Sequence, residues 1–304
     1  MIINDSGLSQ LNQRYNILFE NSVKGAAFDW MKLAVETTSV TKTEHYPVSG
    51  ASPKMREWLG ERQAKNLCNY DLSITNKKYE STVEVAVEDV EDDRYGIYDS
   101  QIRDMGTQAG LLPQDLLLDL IINGQTRTCY DGQYFFDSDH PVNPRNSSAG
   151  TQSNVLTSSA LAKATFQTAK TQMATLKDEN GTVIGTSGNL LIVVPSALET
   201  TSKELCYGDY ISVASGSTQS NVQKGSASVL VMPQLDGTSA TTWYIFDVGR
   251  AAKPFIIQKR VAPVMQNPTM AAFVQFMNDK LIYGARARYG AGYNLWQLGI
   301  KVTA

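Results

Sequence analysis

An α+β fold follows from three patterns in the 304 residues. From Tyr98 to Leu120 apolar residues recur at spacings of four and three, the period of a helix. Tyr79, Ser81, Val83, Val85 and Val87 alternate with Glu80, Thr82, Glu84, Ala86 and Glu88, the period of a strand. Later, short apolar runs such as Leu190–Val194 punctuate polar stretches, which suits a compact portion of strands and short helices.

The segment up to about Val40 carries Leu8, Leu11, Tyr15, Leu18 and Phe19 at helical spacing and reads as a helical arm. Such an arm can pack on its own core or on a neighbour, and the pattern is the same for both. Between Met55 and Glu88 the period changes to two. Tyr70, Leu72 and Ile74 alternate, Thr75-Asn76-Lys77-Lys78 supplies turn chemistry, and the Tyr79–Val87 run follows. The prediction is a long two-stranded hairpin leading into the helix. An isolated hairpin is marginal in water, so its apolar face needs cover from the same subunit or from another copy. Tyr70, Leu72, Ile74, Tyr79, Val83, Val85 and Val87 are therefore the candidate interface residues.

Glu91–Asn123 reads as a helix of roughly 45 Å at 1.5 Å per residue. Its stripe is Tyr98, Ile102, Met105, Ala109, Leu112, Leu116 and Leu120, and Glu91-Asp92-Asp93 at its head complements the helix dipole. Gly106 and Gly110 weaken the middle and Pro113 removes a backbone donor, which predicts a kink or a restart between Gly110 and Pro113.

Beyond the helix, Cys129–Pro141 is dense in aromatics and carboxylates, with Phe135 and Phe136 as core anchors. Gly150–Ser159 reads as a loop, and Ala162, Phe166, Ala169, Met173 and Leu176 form a second helical stripe closed by the turn Lys177–Gly181. Leu190–Val194 is a buried strand, and Ser196 with Glu199 fits a capping box for a helix ending near Cys206. Tyr207–Ser226 reads as a mobile surface loop. Val229–Leu235, Trp243–Val248 and Phe255–Val261 read as strands. The alternating runs Leu281–Tyr289 and Trp296–Val302 read as a closing hairpin turning at Gly290-Ala-Gly292.

Composition narrows the function. A net charge of −3 gives no support to an extended nucleic-acid-binding surface. No run approaches the roughly 18 apolar residues of a membrane span, and the first residues lack a secretory pattern. Cys68, Cys129 and Cys206, widely spaced and odd in number, read as reduced thiols made in a cytosol.

The best chemical candidate is Asp137-Ser-Asp139-His140, which could hold a divalent metal with Asp131 lending an oxygen, as in a metal-dependent hydrolase. The competing and favoured reading is an Asp-rich turn before Pro141, since hydrolytic sites draw ligands from several segments and His45, the one other histidine, is remote in sequence. Arg286 and Arg288 could touch phosphate, although ion-paired strand faces are commoner. No P-loop, dinucleotide fingerprint, nucleophile elbow or activated cysteine is present, so neither catalysis nor a cofactor is expected.

An ordered set of motifs resembles the major head (capsid) subunit of Mu-like bacteriophages and prophages. It comprises Trp58-Leu-Gly-Glu-Arg62 with Tyr70 and Asn76-Lys-Lys-Tyr-Glu80; Val90-Glu-Asp-Asp-Arg-Tyr-Gly96; Cys129-Tyr-Asp-Gly-Gln-Tyr-Phe-Phe-Asp-Ser-Asp-His-Pro141; Leu190–Pro195; Gln258-Lys-Arg260; and Tyr283–Arg288 through Gly292 to Trp296-Gln297. The resemblance implies the HK97-like capsid fold: an N-terminal arm (1–54), an extended β-hairpin loop (55–90), the long spine helix with a peripheral domain (91–185), an axial domain (186–253) and return strands of the peripheral domain (254–304). It implies a structural virion protein, assembled in the host cytoplasm. Its copies would form pentamers and hexamers of an icosahedral shell around double-stranded DNA, contacted without sequence specificity. Expected partners are a separate scaffold, a maturation protease and a portal, with no membrane. The chain starts directly at the arm, so little cleavage on maturation is expected. Lys65, Lys77, Lys78 and Asn76 fall in the extended loop, but covalent cross-linking is not expected. The other readings are the hydrolase and an adhesin or tail component forming tubes or rings.

Overall fold

The computed structural model describes residues 5–26, 29–49, 57, 69–92, 94–212, 218–268 and 279–304. Helix α1 (Asp5–Gly25) is followed by β1 (Ala34–Thr38), β2 (Thr43–Ser49), β3 (Asn69–Thr75) and β4 (Lys77–Ala86). The short α2 (Val87–Glu91) and a 3-10 turn (Tyr95–Tyr98) lead into α3 (Asp99–Ile122). Three short strands, β5 (His140–Pro141), β6 (Thr151–Gln152) and β7 (Val155–Leu156), precede α4 (Lys163–Thr175). Then come β8 (Leu190–Val194), α5 (Glu199–Tyr207), β9 (Tyr210–Ser212), β10 (Thr218–Ser220), β11 (Ala227–Val231) and β12 (Trp243–Asp247). The long β13 (Phe255–Gln266) and β14 (Lys280–Tyr293) and the short β15 (Gly299–Val302) complete the chain.

The long helix differs from expectation at both places where its sequence is awkward. It starts at Asp99 rather than Glu91, so Glu91 and Asp92 end α2 instead of heading the long helix, and Asp99 is the acid of its first turn. It also runs through Pro113 without a restart. The proline costs one backbone donor, but the helix is held on both sides of it. Ile102 and Met105 are buried with α1, and Leu117, Leu120 and Ile121 are buried in a second cluster. Gly106 and Gly110 serve the approach of α1. A Cβ on Gly106 would lie 2.7 Å from the Phe19 carbonyl oxygen, and one on Gly110 would lie 2.8 Å from that of Val23. The arm stripe Leu8, Leu11, Tyr15 and Phe19 is buried against this helix and against Leu281, Tyr283 and Ala285 of β14.

A four-stranded sheet in the order β1-β13-β14-β4 carries α1 and α3; β1 runs parallel to β13 and the other neighbours are antiparallel. The hairpin prediction is corrected here. β3 does not pair with β4: it pairs with β2, from Thr43↔Thr75 to Ser49↔Asn69, while β4 pairs with β14 across ten positions. Period-two alternation specifies which side chains share a face, not which strand lies alongside. β2 includes Pro47, and proline is tolerated on an edge strand such as this one. Gly290 and Gly292 are likewise no turn. They lie within β14, and the side chain of Ile74 fills the space beside both.

The second sheet, in the order β11-β8-β12-β15-β7, has both faces covered. Leu191, Val193, Tyr244 and Phe246 face the cluster containing the end of α3, while Leu190, Ile192, Val194, Trp243, Ile245, Ile300 and Val302 face Phe166, Ala169 and Met173 of α4 and Leu205 and Cys206 of α5. This is why β8 is uniformly apolar. Each large side chain so buried contributes about 1.5–3 kcal/mol. The predicted capping box of α5 is absent: its N-cap is Leu198, without a side-chain cap, after a 3-10 turn at Ser196–Leu198. Val229–Leu235 divides into β11 and a 3-10 turn at Pro233–Gly237, and Tyr207–Ser226 contains the small β9–β10 hairpin.

Candidate functional site

Two places on this scaffold carry the sequence-derived candidates. The first is the Cys129–Pro141 segment. Phe135 and Phe136 are buried as anchors, Phe135 stacking on Tyr293 with centroids 4.8 Å apart. They fold the segment so that Asp131, not Asp137 or Asp139, meets His140. Asp131 Oδ2 lies 2.7 Å from His140 Nδ1, and its Oδ1 accepts from Cys129 Sγ at 2.9 Å and from the Gln133 backbone N–H at 3.1 Å. His140 is fully buried and stacks on Trp296, with centroids 3.8 Å apart and planes 6° from parallel. Burial pushes the Asp131 carboxyl up, but the His140 hydrogen bond and charge, with the thiol and the Gln133 N–H, leave it below the usual range. Burial, and then the Asp131 charge, push the Cys129 thiol far above its ordinary value.

Asp137 and Asp139 stand apart from this group. Asp139 is exposed and its carboxyl is raised, first by a hydrogen bond with Asp137 and then by that neighbour's charge. The predicted Asp137–Asp139–His140 constellation is therefore corrected: these three groups do not converge. One atom from each of Cys129, Asp131 and His140 does lie within 4.8 Å of the others, the spacing of a metal-ligand set. Each is already joined to another through Asp131, and the imidazole and carboxylate are closed to any substrate. The arrangement is a hydrogen-bonded hub.

The adjacent hub residue, Asn154, had no sequence signal. Its side chain donates to the carbonyls of Phe135 (2.7 Å), Gly299 (3.2 Å) and Trp296 (3.3 Å), and accepts from the Asp137 backbone N–H at 2.9 Å. Polar residues in loops look alike in sequence, and only the fold shows which one is enclosed.

The second place is the apolar face proposed for contact with another copy. Ile74, Val85 and Val87 are corrected: at 3%, 0% and 7% exposure they are covered within the chain and have no surface left to offer. Ile74 sits on the Gly290–Gly292 stretch, and Val85 and Val87 belong to the α1–α3 cluster. Tyr70, Leu72, Tyr79 and Val83 are half-buried. Tyr70 lies against Tyr130 at 5.3 Å between ring centroids, with the Arg145 guanidinium 5.5 Å from its ring. Nearby, burial raises the Glu179 carboxyl, partly offset by a hydrogen bond from Tyr70.

The β2–β3 hairpin is tied down where it leaves the sheet. Asn76 donates to Ser39 Oγ and the Thr41 carbonyl, and Arg260 donates to the Ser39 carbonyl. Glu44 accepts from the backbone N–H groups of Thr41 and Val40, which hold its carboxyl down to about 2. Cys129 and Cys206 are free thiols, and Cys68 and Trp58–Arg62 lie outside the described residues. Among the described residues no helix is long and apolar enough to cross a membrane.

A family model described as the Mu-like prophage major head subunit gpT matches residues 8–162, 155–235 and 234–304. The major capsid protein of Escherichia phage Mu is 26% identical over 303 residues, covering 99% of this chain and 75% of that one. The Mu-like prophage FluMu major head subunit of Haemophilus influenzae is 27% identical over 285 residues, covering 93% and 69%. Among solved structures, the subunit in the procapsid of bacteriophage JBD30 superposes with a TM-score of 0.61 at 26% identity, covering 99% of this chain and 76% of that one.

Proposed function

Because the chain belongs to the family of Mu-like prophage major head subunits, we propose that its copies meet as pentamers and hexamers in an icosahedral shell around double-stranded phage DNA. The protein is a structural component of the virion, a major capsid subunit with the HK97-like capsid fold that assembles with itself into a multimeric shell. It is not an enzyme, and the metal-dependent hydrolase alternative is not supported. The family match along the chain from residue 8 to residue 304 carries this reading.

The finer parts of the proposal follow from it. The arm is α1 and its extension as far as β2. The extended loop is the β2–β3 hairpin with the residues between its strands, an assignment supported by its pairing outside both larger sheets. α3 is the spine, the four-stranded sheet belongs to the peripheral domain, and the five-stranded sheet with α4 and α5 centres the axial domain. A separate scaffold, a maturation protease and a portal meet the subunit during head assembly in the host cytoplasm. Packaged DNA is contacted without sequence specificity, since mobile counterions neutralise most of its phosphate.

Negative-stain microscopy tests the shell directly. Expression with the neighbouring gene products yields closed megadalton shells. A stable monomer under all such conditions, or open tubes and rings, overturns the proposal.

A further inference from the structure

We propose that the free edge of β4 pairs antiparallel with the same edge of a second copy, across a two-fold axis at Ser81. The proposal rests on the shell reading and adds to it a defined contact between copies.

β4 is the last strand of its sheet, with β14 on one side and no strand on the other among the described residues. Its ten-residue register against β14 has no bulge and it contains no proline. A long, regular edge of this kind offers a row of open backbone donors and acceptors, which proteins otherwise shorten, bulge or cover.

The sequence of the edge is complementary to itself. Antiparallel pairing centred on Ser81 sets Lys78 opposite the partner's Glu84, Tyr79 opposite the partner's Val83 and Glu80 opposite the partner's Thr82, and each pair recurs on the other side of the axis. Opposite charges and aromatic–β-branched pairs facing each other are favourable cross-strand neighbours, and a contact that repeats under two-fold rotation closes on itself.

Two features of the single chain ask for this partner. Lys78 lies directly opposite Arg288 of β14, a like-charge pair, and Arg288 Nε is buried without a hydrogen-bond partner among the described residues. Glu84 holds Lys280 at 2.5 Å yet remains 54% exposed, so its carboxylate can also meet a cation from outside. On the helix side, the small residues Ser81, Ala109, Ala285 and Ala287 line an open groove between α3 and the sheet, beside the face from which the partner's Tyr79 and Val83 would emerge.

The test places one cysteine at the axis. Shells of the Ser81→Cys chain, mildly oxidised, give a disulfide-linked dimer on a non-reducing gel, and mass spectrometry identifies the cross-linked peptide as two copies of the β4 segment joined at the introduced thiol. Lys78→Glu sets like charges across the axis and slows assembly at least tenfold. Misfolding would not explain that loss, since the new carboxylate faces Arg288 within its own chain. The Lys78→Glu/Glu84→Lys exchange restores assembly. Shells that form while the introduced thiol stays unlinked, or a Lys78→Glu chain that assembles at the parent rate, overturn the pairing and leave the shell reading standing. Failure of the unsubstituted chain to form shells overturns the shell reading, and the pairing with it.

Discussion

At Asn154 one carboxamide bonds four backbone groups from two stretches of chain, 135–137 and 296–299, and the Trp296 carbonyl among them also accepts from the Gly299 backbone N–H. Asn154→Leu removes these bonds from a buried site and strands the groups that have no second partner, where each unmade hydrogen bond costs about 1–3 kcal/mol. The expected loss is at least about 3 kcal/mol, read as a lowered urea midpoint of the unassembled subunit. Asp131 supports a prediction with a pH signature. Its folded carboxyl lies below the ordinary value, so its charge stabilises the fold at pH above the unfolded value, near 3.8, and that stabilisation is lost as pH falls through the folded value. Asp131→Asn, costing about 1–3 kcal/mol near neutrality, therefore shows a deficit against the parent that shrinks below pH of about 4. A pH-independent deficit in denaturant titrations would place the effect in packing rather than charge. The sequence drew attention to Asp131 and His140 but grouped them with Asp137 and Asp139. Proximity along the chain suggested that set, whereas the anchoring of Phe135 and Phe136 decides which carboxylate faces the ring.

Elements show a similar division. The stripe from Tyr98 to Leu120 and the arm stripe were legible because burial has the helical period. Gly106 and Gly110 read as weak points, because their purpose exists only once α1 lies across them. Gly106→Ala drives a Cβ into the Phe19 carbonyl. It costs about 1–3 kcal/mol as overpacking, and hydrogen exchange of residues 5–25 rises more than that of β8 or β12. Equal protection in parent and variant would mean that α1 is held mainly by the sheet. Strand partners were not legible: alternation identified the faces of β3 and β4 but not their partners, and the partner of β4, β14, lies far away in the chain.

Over the whole molecule, α3 joins two packing regions. Its first half is buried with α1 and the end of β14 that carries Leu281 and Tyr283, and its second half with the five-stranded sheet. The helix runs unbroken through Pro113, so one continuous backbone element links these regions.

The register of β4 against β14 also sets an order of events during synthesis. β4 emerges from the ribosome early, while the strand that must flank it, from Lys280 to Tyr293, is made roughly 200 residues later, a delay of about 10–40 s at bacterial elongation rates. During that interval β4 lacks β14, its one strand neighbour among the described residues, and β1 likewise waits for β13. A nascent or prematurely terminated chain thus lacks the finished sheet on which the outer edge of β4 is displayed. Under the proposed β4 pairing, competence to join another subunit arises only when the last strands are in place, so the topology withholds incomplete chains from that contact.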